Sequence, residues 1–203
     1  MFAGLMRRLR PVPVVDGGAF EAFLKANAAF VAQKSVSEYC RAKTSVFSNL
    51  MFREPAFLEA MSDSFRIGFA ATLADLTLVA EGYLRPHAAD GDALRSGLAA
   101  MYVRLLRSES PPRGRAVMWD EAEADFGPRI ARAGMAPPRP ARGIAEYAAA
   151  RMFEALPLHP DIVRYDREVF SATVAFLTVS FRDTLEKRVD APAVARAISG
   201  PPP

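Results

Sequence analysis

The chain has 203 residues, 51% of them hydrophobic and 24% charged, which suits one globular domain or two small helical ones and excludes a disordered polymer. Its 26 basic and 23 acidic side chains leave a formal charge of +3, too mild a bias to argue for a nucleic-acid surface. A single cysteine, Cys40, cannot close an intramolecular disulfide, and two histidines leave little for acid–base or metal chemistry.

Residues 1–15 combine apolar Phe2, Leu5, Met6 and Leu9 with cationic Arg7, Arg8 and Arg10. Such a segment suits attachment to a partner or to an anionic membrane surface, where each arginine contributes about 1 kcal/mol near the headgroups. The simpler counterpart is a frayed basic terminus. The arginines follow the apolar residues, and Pro11 and Pro13 interrupt the run, so a signal peptide is not expected. Cytoplasmic residence is expected, with peripheral attachment at the inner membrane face as its extension.

The sixteen prolines divide the rest, because a helix interior tolerates proline only at a cost of about 3 kcal/mol. Proline-free stretches at 14–54, 56–85, 87–110 and 161–191 each carry apolar residues at helical spacing. In the first, Asp16 is the expected N-cap, and Phe20, Leu24, Val31, Cys40, Phe47 and Met51 mark an intermittent stripe. In the second, a helix over 63–84 places Phe65, Phe69, Leu73, Leu76, Val79 and Tyr83 on one face, with Asp75 and Glu81 largely off it. The third starts after Asp90 or Asp92 and shows Leu94, Leu98, Met101 and Leu105. In the fourth, over 161–189, Phe170, Val174, Leu177, Phe181 and Leu185 form the stripe. Val169, Phe176 and Val179 widen it, which predicts a central helix buried on most sides.

Shorter helices are expected at 117–126, 141–156 and 190–199. Asp120 and Glu123 open the first with capping-box spacing, and Asp190 and Pro192 open the last, which stops at Gly200 before a proline tail. Segments 108–115 and 134–143, rich in proline, glycine and arginine, read as linkers. No run alternates with period two for long enough to make a strand. The fold class expected is therefore all-α, a bundle of about six to eight helices over 16–199. The Pro/Arg-rich region 108–140 joins its halves 16–107 and 141–199. A loose echo of Glu38-Tyr39, Pro55 and Phe65 in Glu146-Tyr147, Pro160 and Phe170 leaves two related halves open, although the Tyr-to-Pro spacings of sixteen and thirteen differ. The longest well-patterned apolar run, between Glu168 and Arg182, has thirteen uncharged residues. That is short of the roughly 20 that span a bilayer, so no transmembrane segment is expected.

Candidate chemistry is sparse. Arginine outnumbers lysine 22 to 4, and Arg104, Arg107, Arg113 and Arg115 form a local cluster suited to anions. Without interleaved aromatic residues it does not argue for nucleic acid. Glu121 and Asp125 share a helical face, yet no glycine or carbonyl pattern of a calcium loop surrounds them, and neither His87 nor His159 lies in a Glu-x-x-His motif. No metal or cofactor is expected. Both histidines fall in turns, and Cys40 reads as a core thiol. Of the fourteen phenylalanines, Phe47, Phe52, Phe57, Phe65, Phe69, Phe170, Phe176 and Phe181 lie in the two best helices and their neighbours, where Phe65, Phe69, Leu73, Phe170, Phe176 and Phe181 make either a core or an apolar pocket. Two functional readings are compatible with these features. The first is a non-catalytic binding protein, an adaptor or assembly factor offering an apolar groove or basic surface to a protein or membrane. The alternative is a helical protein, an enzyme or a simple binder, holding an apolar small molecule such as a lipid or quinone in a Phe-rich cavity.

Overall fold

A computed structural model describes residues 12–200. The basic and apolar residues Phe2, Leu5, Met6, Arg7, Arg8 and Arg10 lie outside the described residues, as does the tail 201–203. Seven helices of nine residues or more make an all-α bundle, and the one extended pairing among the described residues is a bridge between Val14 and Val189.

Local chemistry sets most helix starts. Helix α1 (Gly17–Thr44) begins where the Asp16 carboxylate accepts from the Ala19 N–H at 2.8 Å. It ends at Ser45, whose φ of 43° turns the chain off the helix axis. The stripe expected to continue to Phe47 and Met51 therefore breaks. Residues Ser48–Met51 form only a single turn, and Phe47 is exposed. Helix α2 (Pro55–Leu84) starts eight residues before the expected position, because Pro55 occupies a first-turn site where its missing N–H costs nothing. Asp90 caps helix α3 (Gly91–Arg107), accepting from the N–H groups of Asp92 and Ala93.

Helix α4 (Met118–Ala133) passes through Pro128, where the sequence predicts an end near 126. Its second half is held from outside, by burial of Ile130 and by Arg129 reaching Asp75 on α2. Asp120 and Glu123 do not form the expected capping box. The N-cap position is Val117, and both carboxylates instead take Arg107 Nη2, at 2.5 and 2.9 Å. A single turn at Ala141–Ile144 precedes helix α5 (Glu146–Glu154), and another at Pro160–Val163 precedes helix α6 (Arg167–Arg188). Pro55 and Pro160 both open helices, but only the first of these helices is long and unbroken. Helix α7 (Ala191–Ser199) starts as expected, with Asp190 accepting from the Ala193 N–H at 3.0 Å.

Helix α2 is the hub, and each of the other six helices packs against it. Every residue from Gly68 to Thr77 is buried, and so is Glu81. Over Pro55–His87 the chain is long and apolar enough to cross a membrane, a property that the count of uninterrupted apolar residues misses; 78% of that apolar window is buried inside the protein. Helices α1 and α6 run antiparallel. Phe23 stacks on Phe181 at 5.8 Å, while Tyr39 meets Phe170 edge-on at 5.2 Å near the opposite end. Helix α6 itself is a correction. Phe170, Val174, Leu177, Phe181 and Leu185 are buried, whereas Phe176 is 69% exposed, with Val169 and Val179 beside it on the same open face. The widened stripe identified apolar residues correctly, but helices α1, α2 and α5 cover only one side of α6.

Helices α3 and α7 meet at Gly97, where an added Cβ would lie 2.4 Å from the Ile198 carbonyl oxygen. Glycine is required there for close approach. Alanine favours an isolated helix by about 1 kcal/mol, yet Gly97→Ala should lower the unfolding free energy by about 1–3 kcal/mol through overpacking. Urea denaturation measures it, and a stabilised variant would show that α7 does not seat on α3 in this way.

Candidate functional site

Two carboxylates lie inside the most apolar helix of the protein. Asp75 and Glu81 project from α2 into the bundle and are almost completely buried. Asp75 accepts from Arg129 Nη2 at 2.5 Å through one oxygen and from the Ala148 N–H at 2.8 Å through the other. The Arg129 guanidinium also lies 3.8 Å from the centroid of the Tyr147 ring. Asp75 thus joins α2 to α4 and to α5. Burial pushes its carboxyl up to about 6, outweighing the opposite pull of Arg129 and the Ala148 N–H.

Glu81 holds a second group. Arg85 donates to it through Nε at 2.8 Å and Nη2 at 2.7 Å, and Arg95 approaches at 3.5 Å. The same Arg85 donates to the carbonyl oxygens of Ala133 and Ala136, at 2.6 and 2.7 Å, and so ties the end of α4 and the following proline segment to α2. Arg129 Nη1 remains buried without a hydrogen-bond partner.

These ties leave a recess of about 320 Å3 between the end of α2, the second half of α4 and segment 136–139. Arg85, Arg129, Arg132 and Arg139 line it beside Glu81, with Leu78, Pro137, Pro138 and Ile144 as apolar wall. Among the described residues neither Arg132 nor Arg139 meets a carboxylate; they donate to the carbonyl oxygens of Pro128 and Gly143. Along the first half of α4 a smaller hollow of about 230 Å3 brings Glu121 and Asp125 together with Tyr147 and Arg151. No cluster of three metal-ligating side chains occurs among the described residues.

The residues singled out from sequence are dispersed. Phe69, Leu73, Phe170 and Phe181 belong to the filled core, Phe65 is half-buried at its margin, and Phe176 faces outward. Phe65 and Phe69 border a surface hollow of about 280 Å3 with Lys25, Arg66 and Glu109 rather than an interior Phe-lined chamber. In the arginine cluster, Arg104 pairs with Glu21, Arg107 with Asp120 and Glu123, and Arg113 with Glu59, while Arg115 is exposed and pairs with no carboxylate among the described residues. Cys40 is fully buried and its thiol is pushed up to about 12, as a core thiol should be. His159 is exposed and its Nδ1 accepts from the Asp161 N–H.

A second surface feature is apolar. Val169 and Phe176 stand on the open face of α6, 65% and 69% exposed, with Val179 less so and Ala172 between them. Ile162 and Tyr165 are exposed just before the helix starts. Asp166 accepts from Tyr39 and pairs with Lys43, which brings the end of α1 to this point. The exposed Val46, Phe47 and Leu50 therefore lie at the same end of the bundle.

Compared with known families, curated proteins and solved structures, the chain returns no match.

The buried Asp75 carboxyl has a pH signature. A carboxyl whose folded-state pKa is raised contributes stability that is complete below its unfolded value and lost as pH rises through about 6. The stability of the natural chain relative to Asp75→Asn should therefore rise by about 2–3 kcal/mol as pH falls from 7.5 to 4. Urea titrations of both chains across that interval measure the difference. A flat or falling difference would mean that Arg129 keeps Asp75 ionised throughout.

Proposed function

We propose that this chain is a non-catalytic helical binding protein, an adaptor or assembly factor, that receives an amphipathic helix of a partner protein along the open face of α6. The observation that carries the reading is the exposed series Val169, Ala172, Phe176 and Val179. Its three- and four-residue steps match the narrow a/d seam by which one helix packs on another. The series extends about 15 Å along the axis, roughly three turns of a partner helix. Uncharged Thr173, Ala175 and Ser180 flank it, so a partner helix would desolvate little charge at its centre.

The side chains that usually carry catalysis support the same reading through their present engagements. Cys40 is buried with a raised thiol, the hydroxyls of Thr77 and Thr178 donate to backbone carbonyl oxygens of their own helices, and that of Ser64 is engaged by the carbonyl oxygens of Ala60 and Ala155.

Phe176→Glu should change unfolding free energy by no more than about 0.5 kcal/mol, as expected of an exposed site. Phe181→Ala, five residues away and buried, should cost about 3–5 kcal/mol. A photo-crosslinking residue placed at 176 in the full chain, expressed in its own host, should give one discrete heterologous adduct that Val169→Lys suppresses. An adduct between two copies would assign the face to self-association instead. No adduct from either 176 or 169 would remove the adaptor reading.

A further inference from the structure

We propose that the recess between α2, α4 and segment 136–139 is a binding site for a small organic oxyanion, a molecule carrying a carboxylate or phosphate group. This site is separate from the apolar face of α6 and does not depend on it.

Charge is the first argument. Four guanidinium groups border the recess against the single carboxylate of Glu81, and Asp75 behind Arg129 offsets one more. Glu81 already accepts two hydrogen bonds from Arg85, with Arg95 close by, so its charge is met before Arg132 and Arg139 are counted. Neither Arg132 nor Arg139 forms an ion pair among the described residues, and Arg139 meets only the field of the buried Asp75. At a partly enclosed site such charges are screened less than on open surface.

Hydrogen-bond accounting is the second argument. Arg129 is held in place by Asp75 on one nitrogen and by Tyr147 beneath its plane, yet its Nη1 is buried and unpartnered. A buried donor left unpaired is destabilising. Arg129 lines the recess, and planar guanidinium forks suit the paired oxygens of carboxylates and phosphates.

Size and lining are the third. A volume of about 320 Å3 is at the lower end of small-molecule sites. Leu78 and Ile144 give the wall an apolar part, which suits an organic body attached to the anionic group rather than a bare ion. A nucleic-acid backbone would need an open track of cations, and Arg104, Arg107 and Arg113 of the local arginine cluster are paired with carboxylates.

The test is isothermal titration calorimetry of the full chain at low, constant ionic strength, with inorganic phosphate and malonate as separate probes. Arg132→Gln/Arg139→Gln serves as the variant, because both side chains are exposed and its fold should hold, which an unchanged urea midpoint would verify. The natural chain should bind at least one probe saturably at one site, and the variant should bind it at least tenfold more weakly. Tighter phosphate binding assigns a phosphoryl ligand, and tighter malonate binding a carboxylate. Unsaturable heats, or equal binding by both chains, would overturn the site.

Discussion

The ion pair between Asp75 and Arg129 organises helices α4 and α5 on α2, the second layer of this protein. A carboxylate in the middle of a buried apolar helix is costly, and its attraction to one guanidinium rarely repays the desolvation of both. Here the pair does more than neutralise a charge. Asp75 grips α4 through Arg129 and the start of α5 through the Ala148 N–H, while Glu81, two turns further along α2, grips the end of α4 through Arg85. Helix α4 contains Pro128 and opens without a side-chain cap. Its continuity to Ala133 depends on contacts outside itself, and Arg129 is the first residue after that proline.

The two surfaces that the bundle offers are built by different physics. On one side, helices α1, α2 and α5 cover α6 along a single stripe, so its remaining apolar residues face water. On the other, the ionic ties from α2 hold an irregular proline-rich segment against α4 and leave arginines around the gap. The first surface suits a helix from another protein and the second a small anion. Sharing α2 as their common support places both on one rigid element.

The sequence reveals helix positions well and helix surroundings poorly. Asp16, Asp90 and Asp190 cap the helices assigned to them, because capping is decided within three residues. Spacing likewise marks Phe69, Leu73, Phe170 and Phe181 as buried. Phe176 has the same composition and nearly the same spacing, but its exposure depends on how many neighbours α6 has, which no local pattern records. Asp75 and Glu81 look like the polar edge of α2 until six helices surround it. Arg85, Arg129, Arg132 and Arg139 span 54 residues of an arginine-rich chain, and only tertiary packing brings them around one recess. Asp75 and Glu81 within the most apolar stretch of the longest helix are the one available signal, since a buried charge requires a partner.

The dependence of the second layer on the Asp75–Arg129 pair is tested most directly by hydrogen exchange in the natural chain and in Asp75→Asn/Arg129→Met, which removes both charges together. If the pair organises α4 and the proline-rich segment after it, exchange should accelerate across Met118–Ile144 while α1 and α6 keep their protection. Unchanged protection over Met118–Ile144, or a uniform loss throughout the bundle, would contradict this account.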